Sequence, residues 1–208
     1  MVFYFTLHSD SSVVCYMGRD KFENEELIRW GWPEDIWFHV DALSSAHVYV
    51  RMPRGRGFDN LTPEMVSECC HLVKANSIQG CKQNDVTIVY TPWSNLKKTA
   101  GMEVGQVGFH DDRLRRYFTV DRKDTAILNR LERTRVECDD VDFRAAREQR
   151  DAEVRRQDRM EEAQQREEAK RVEEERRRLH EQKHYTSLMA EANMARTNRD
   201  APQDDDFM

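Results

Sequence analysis

Hydrophobic and polar residues alternate with period two in two stretches of the N-terminal half. Asp35–Asp41 places Ile36, Phe38 and Val40 on one side and Asp35, Trp37, His39 and Asp41 on the other. His47–Met52 repeats the pattern, with Val48, Val50 and Met52 opposed to His47, Tyr49 and Arg51. Such alternation marks strands with two unlike faces, so the segments joined by Ala42–Ala46 predict a β-hairpin. Its shortest register sets His39 opposite His47, Trp37 opposite Tyr49 and Asp35 opposite Arg51.

Similar patterns extend to both sides. Val2–Leu7 and Ser12–Met17 predict a hairpin around the polar turn His8-Ser9-Asp10-Ser11. Glu23–Trp30 predicts a short helix stopped by Gly31 and Pro33. After the basic loop Pro53–Gly57, Thr62 caps a helix with Pro63 at its first position. Met65, Val66, Cys69, Leu72, Val73 and Asn76 share one face of that helix, and Gly80 ends it. Val86–Tyr90, Gln106–Phe109 and Tyr117–Val120 predict three more strands, with Lys97, Lys98 and Gly101 in the loop between the first two.

The pattern changes in the last third. After Gly108 neither Gly nor Pro occurs until Pro202. Ile127, Leu128, Leu131 and Val136 give the start of this stretch one apolar face for docking. Arg144–Lys183 carries 13 basic and 12 acidic side chains, and Val154, Met160, Val172 and Leu179 are its only larger aliphatics. They form no heptad seam, so ion pairs at i,i+3 and i,i+4 predict an exposed single helix, with a weak dimeric coiled coil as the alternative. A helix from Asp124 to Ala190 would extend ~100 Å at 1.5 Å per residue. The expected organisation is a domain over 1–123, a long charged helix over 124–190 whose first turns dock, and a disordered acidic tail over 191–208. The fold class is α+β: a compact mixed or antiparallel sheet with packed helices, followed by a long charged C-terminal α-helix.

Composition narrows the function classes. Charged residues make up 35% of the 208 residues and the net charge is −6, which argues against indiscriminate nucleic-acid or anionic-membrane binding. Residues 1–123 nonetheless hold 15 Lys and Arg against 16 Asp and Glu, which leaves room for a local basic patch. The five cysteines form no CxxC pair and no zinc spacing, which suggests a reducing compartment. The N-terminus is unlike a signal peptide, and no apolar run approaches the length of a membrane-spanning helix. A cytoplasmic or nuclear protein is expected.

Two arrangements could carry chemistry. In the predicted register, Trp37, Tyr49, His39 and His47 share one face beside Arg51, as bases require: rings to stack on and a guanidinium for phosphate. Equally, a sheet covered on both faces would bury Trp37 and Tyr49 as core and leave the histidines satisfied internally. The cations Arg19, Lys21, Lys97 and Lys98 fall at loops or strand ends where phosphates could be held, or where they simply solvate a surface. Walker, nucleophile-elbow and HExxH motifs are absent, and His39 with His47 lacks further ligands for a metal, so no enzyme, cofactor or metal is expected.

The same motifs resemble those of the NFACT-R family of RNA-binding domains. Met17-Gly18-Arg19-Asp20 followed by Glu23-Asn24-Glu25 is similar to its opening Gly-Arg step and Asn-Glu pair. Asp35-Ile36-Trp37-Phe38-His39-Val40 and Ser45-Ala46-His47-Val48 resemble its central signature, although Ser44-Ser45-Ala46 replaces the family's Pro-Gly. Ala75-Asn76-Ser77, Val89-Tyr90-Thr91 and Lys97-Lys98…Gly101…Gly105-Gln106-Val107 follow in the same order. The resemblance implies a non-enzymatic module that binds RNA, of the tRNA or rRNA kind, in a translation-linked setting with the ribosome or translation factors as partners. DNA binding, or a protein-interaction scaffold with a helical arm, are the alternatives. Monomer or weak helix-mediated dimer is the expected state.

Overall fold

The computed structural model describes residues 1–183. It divides into two compact units, one ending at Gln149 and one beginning at Arg150. The first is built on a seven-stranded antiparallel sheet: β1 (Val2–Thr6), β2 (Val14–Gly18), β3 (Asp35–Val40), β4 (Val48–Arg51), β5 (Val86–Pro92), β8 (Arg116–Val120) and β9 (Val136–Cys138). Their spatial order is β8-β5-β3-β4-β2-β1-β9. A separate ribbon pairs β6 (Leu96–Lys97) with β7 (Gly108–Phe109). The α+β class and the antiparallel sheet are as expected.

The central hairpin takes the predicted register: Asp35 faces Arg51 and Trp37 faces Tyr49. Ser45 closes its loop, its hydroxyl accepting from the Val40 N–H at 3.1 Å and donating to the Ala46 carbonyl at 3.0 Å. Alternation then assigns the two faces. Ile36, Phe38, Val48, Val50, Cys15 and Ile88 point to the face covered by α2 (Pro63–Ala75), which contributes Met65, Cys69, Leu72 and Val73. Thr62 caps α2, accepting from the Met65 N–H at 3.3 Å, with Pro63 at the first turn as expected.

Trp37, Tyr49, Tyr16 and Val89 point the other way, where Leu27 of α1 (Lys21–Trp30), Trp93, Leu96, Val107, Phe109, Val141 and Phe143 pack over them. Helix α1 starts two residues before the predicted Glu23 because the Asp20 carboxylate caps it, accepting from the Phe22 and Glu23 N–H groups. Both sheet faces are therefore covered over the central strands.

The last third differs from the expected single helix over 124–190. Helix α3 (Thr125–Arg133) stops after nine residues, β9 adds to the open edge of β1, and α4 (Phe143–Lys183) begins afterwards. The hydrogen-bonding demand of the β1 edge overrides helix propensity here. Thr134 Oγ1 accepts from the Thr6 N–H at 3.1 Å, and Val136–Cys138 then pair with Val2–Tyr4. Asp142 restarts the helix by capping Ala145. Helix α4 has 41 described residues, roughly 60 Å at 1.5 Å per residue, and buries none of them. Ion pairs at the expected separations decorate it, among them Arg144–Glu148, Glu168–Arg171 and Glu173–Arg176. The expected helix over 184–190 and the tail over 191–208 lie outside the described residues.

Candidate nucleic-acid interface

The rings proposed for stacking fall into the sheet's second core. Trp37 is 2% exposed and Tyr49 is fully buried, so of the two readings the covered sheet is the one the structure adopts. The physical reason is the β6–β7 ribbon, which lays Phe109 edge-on against Trp37 with ring centroids 5.8 Å apart. Tyr49 stacks instead on Tyr16 at 5.2 Å.

The histidines meet across the hairpin with ring centroids 4.8 Å apart. His47 is 3% exposed, and its Nδ1 accepts from Trp37 Nε1 at 2.9 Å. An Nδ1 that accepts carries no proton, so His47 is neutral. Burial above all, then the neighbouring His39 and Lys98, pull its pKa down to about 3 against the backbone hydrogen bond at Gly105. His39 is half-buried, stacks on Trp37 at 5.4 Å and donates from Nδ1 to the Val40 carbonyl at 2.6 Å. Burial lowers its pKa too.

Arg51 is committed to the fold. Its Nε and Nη2 grip the buried Asp35 carboxylate at 2.8 and 2.9 Å, and Nη2 also reaches the Tyr16 hydroxyl at 2.9 Å. Tyr16 and the Trp32 N–H complete the shell around Asp35 at 2.6 and 2.7 Å, and the guanidinium lies 3.6 Å from the Trp32 ring centroid. A fork held this way fixes the hairpin and has little left for a phosphate.

Lys98 is similarly occupied. Its ammonium donates to Glu25 Oε1 at 2.6 Å and to the carbonyls of Glu103 and Gln106 at 2.7 and 2.9 Å. The chain from Thr99 to Val107 therefore wraps around one cation. Gly105 sits at its centre with φ of +84°, a conformation that favours glycine, and donates its N–H to the same Glu25 oxygen. A Cβ at Gly105 would lie 4.0 Å from Lys21 Cβ. The loop thus brings Lys21, Glu25, His47 and Lys98 to one place, four residues scattered over 78 positions of sequence.

The remaining cations point to solvent. Arg19 lies loosely against Asp20 at 3.6 Å. Lys21 lies over the exposed Phe22 ring at 5.4 Å, and Lys97 is exposed on β6 with no ion pair among the described residues. Of the nine residues singled out from sequence, these three and the half-buried His39 can meet a ligand as the structure stands.

Residues outside that set extend the surface. Across the sheet, His39 aligns with Val89, and Val89 with Tyr117 of the edge strand β8. Tyr117 is 49% exposed. The Arg115 guanidinium stands 5.0 Å from the Phe109 centroid and 5.9 Å from that of Tyr117. The signal in sequence was the alternation of Tyr117 with Arg116 and Phe118, which becomes informative only once β8 is registered against β5. Among the described residues, no cluster of three or more metal-ligating side chains occurs and no helix is long and apolar enough to cross a membrane.

Comparison with known proteins gives the fold and the family. The solved C-terminal part of the fibronectin/fibrinogen-binding protein from Streptococcus suis shares the fold at a TM-score of 0.51, with 15% identity over 64% of this chain and 49% of that one. Coiled-coil domain-containing protein 25 of Danio rerio is 56% identical over 213 residues and that of Mus musculus 52% over 210, each covering 100% of both chains. Protein JLP2 of Saccharomyces cerevisiae is 44% identical over 124 residues, 58% of this chain and 60% of its own length. Residues 1–111, the stretch that builds β1 to β7 and the loop around Lys98, match the NFACT protein RNA binding domain, and the chain belongs to that family.

Proposed function

We propose that the chain is a non-enzymatic nucleic-acid-binding module that prefers RNA and works beside the translation machinery, with tRNA or rRNA as ligand and the ribosome or translation factors as neighbours. Membership of an RNA-binding domain family over residues 1–111 is the observation that carries the reading. The geometry supports it with the exposed cations Arg19, Lys21 and Lys97, of which Lys21 and Lys97 adjoin the loop that Lys98 and Glu25 hold in place. Compact ammonium groups on an ordered loop meet phosphates as point charges, whatever the base sequence. Phosphate and ring contacts discriminate weakly between sugars, so DNA is the alternative ligand. The cytoplasm or the nucleus is where such a module would act.

A second reading rests on α4. A helix of 41 residues with no buried side chain is suited to act as a spacer or arm for a protein partner. Titration of the full chain with mixed tRNA and rRNA fragments at several salt concentrations separates the two. Phosphate binding should fall steeply with salt through counterion release. Absence of binding at low ionic strength would reject the nucleic-acid reading and leave the scaffold.

A further inference from the structure

We infer that the β5–β8 end of the sheet holds one unpaired base of a single-stranded nucleic acid, stacked on Tyr117 with its phosphate on Arg115. The inference rests on the nucleic-acid reading and gives it a substrate class and a site. It begins with coverage. The β6–β7 ribbon and α1 close the second face over β2, β3 and β4, but β8 carries its Tyr117 beyond them at the sheet's edge. The other side of the strand is anchored, with Val120 buried in the α2 core and Phe118 packed against it. Tyr117 is therefore exposed because of the direction it faces, on a strand paired residue by residue with Val86–Tyr90.

The surroundings suit a base better than a peptide side chain. Val89, buried beside Tyr117 in the same cross-strand row, is an apolar neighbour, and half-buried His39 closes the row. Toward one end, the Thr87 and Thr119 hydroxyls lie 3.4 Å apart and offer polar atoms to a base edge or a ribose. Toward the other, Arg115 stands between the Phe109 and Tyr117 rings. It pairs with Asp112 at 3.1 Å, a carboxylate 76% exposed, and such a pair holds a guanidinium weakly. Its Nε is buried without a hydrogen-bond partner among the described residues, so the outer guanidinium nitrogens are the ones that would meet a phosphate. A ring face, an adjoining cation held only by an exposed carboxylate and flanking hydroxyls are the elements by which sequence-tolerant single-strand sites work. A duplex cannot use them, because its base faces are stacked on one another.

The test is fluorescence anisotropy on the full chain with four labelled probes. They are an oligouridylate of about ten nucleotides, its deoxythymidine counterpart, a duplex of the same length and an abasic oligomer of the same backbone charge. The single strands should bind more tightly than the duplex. The abasic oligomer should bind about ten-fold more weakly than the oligouridylate, the factor that one stacked base contributes. Tyr117→Ala should remove that factor for both sugars alike and leave abasic binding unchanged. Tyr117→Phe, which keeps the ring, should bind as the native chain does, and Tyr117→Leu as the alanine variant does. This pair decides the matter even if truncation disturbs the edge strand. Asp112→Asn should tighten binding by releasing Arg115.

Equal affinity for duplex and single strand, a leucine variant that binds like the native chain, or loss confined to one sugar would overturn the stacking site. If Lys97→Ala still weakened binding in that case, the nucleic-acid reading would stand. If none of the four probes bound at low salt, both would fall.

Discussion

His47 should make the fold acid-sensitive, and replacing it with asparagine should remove that sensitivity. In the folded chain its Nδ1 is held as an acceptor by Trp37, and its pKa is lowered from the ordinary 6.5 to about 3. In the unfolded chain the imidazole titrates near its ordinary value. Above that value both states hold it neutral and the stability is fully present. As pH falls below it, the unfolded state takes up a proton that the folded state refuses, and stability is lost until pH reaches the folded value. At ~1.36 kcal/mol per unit, descending from about pH 6.5 to pH 5 costs about 1.5–2 kcal/mol, and the full descent about 4–5 kcal/mol. That is a large part of the ~5–15 kcal/mol that holds a typical domain together. Asparagine can offer Oδ1 to the Trp37 N–H and has no proton to gain. Urea unfolding followed by tryptophan fluorescence should show a native stability that slopes with pH across this window and a His47→Asn stability that slopes distinctly less. His39 stays in both proteins, so the difference isolates His47. The absolute stability of the variant is irrelevant, because it also loses the contacts of the ring. Parallel slopes would refute the reasoning, and with it the neutrality of His47.

Asp35→Asn should cost ~3–5 kcal/mol in urea unfolding, because the half-buried Arg51 would lose the fully buried carboxylate it grips; an unchanged midpoint would mean the guanidinium relaxes to solvent. The two adjacent lysines should separate: Lys97→Ala should flatten the salt dependence of RNA binding by about one unit with an unchanged melting temperature, as a lost phosphate contact does. Lys98→Ala should lower the melting temperature, since three acceptors around it lose their donor, and binding that fell without a change in melting would contradict that role. The isolated Arg144–Lys183 peptide should be helical and monomeric, with helicity modestly reduced by salt as pairs of ~0.2–0.5 kcal/mol are screened. Circular dichroism and sedimentation would show this, and helicity rising with concentration would favour the coiled coil instead.

What could be read from the sequence was local. The central hairpin was legible to the register because a period of two excludes odd slips, which would part Ile36 and Phe38 from Val48 and Val50, and the short loop selects the tightest of the rest. The α2 start was legible because Thr62 and Pro63 act within a few residues of themselves. Which face would be covered was not, since the cover over Trp37 comes from Phe109 in a two-residue strand, too short to carry a period. Strand β9 was hidden for a related reason: no Gly or Pro marks its beginning, and its pairing follows from an edge of β1 more than a hundred residues away.

The charged residues show why a site is harder to read than a fold. Arg51, Lys97 and Lys98 look alike as cations near strand ends, yet what each can do depends on acceptors that no local pattern announces. Asp35 lies 16 positions from Arg51 and Glu25 lies 73 from Lys98, and each holds its cation in place. Lys97, the last residue of β6 and next to Lys98 in sequence, is exposed and meets no acid among the described residues. A cation already surrounded by oxygens must break those bonds to reach a phosphate, whereas an exposed one gives up only water. The capacity to bind therefore concentrates in the residues the fold leaves unpaired. By that argument the proposed interface rests on Lys97 and Lys21, with Arg115 held only by the exposed Asp112, whereas Arg51 and Lys98 are spent on the fold.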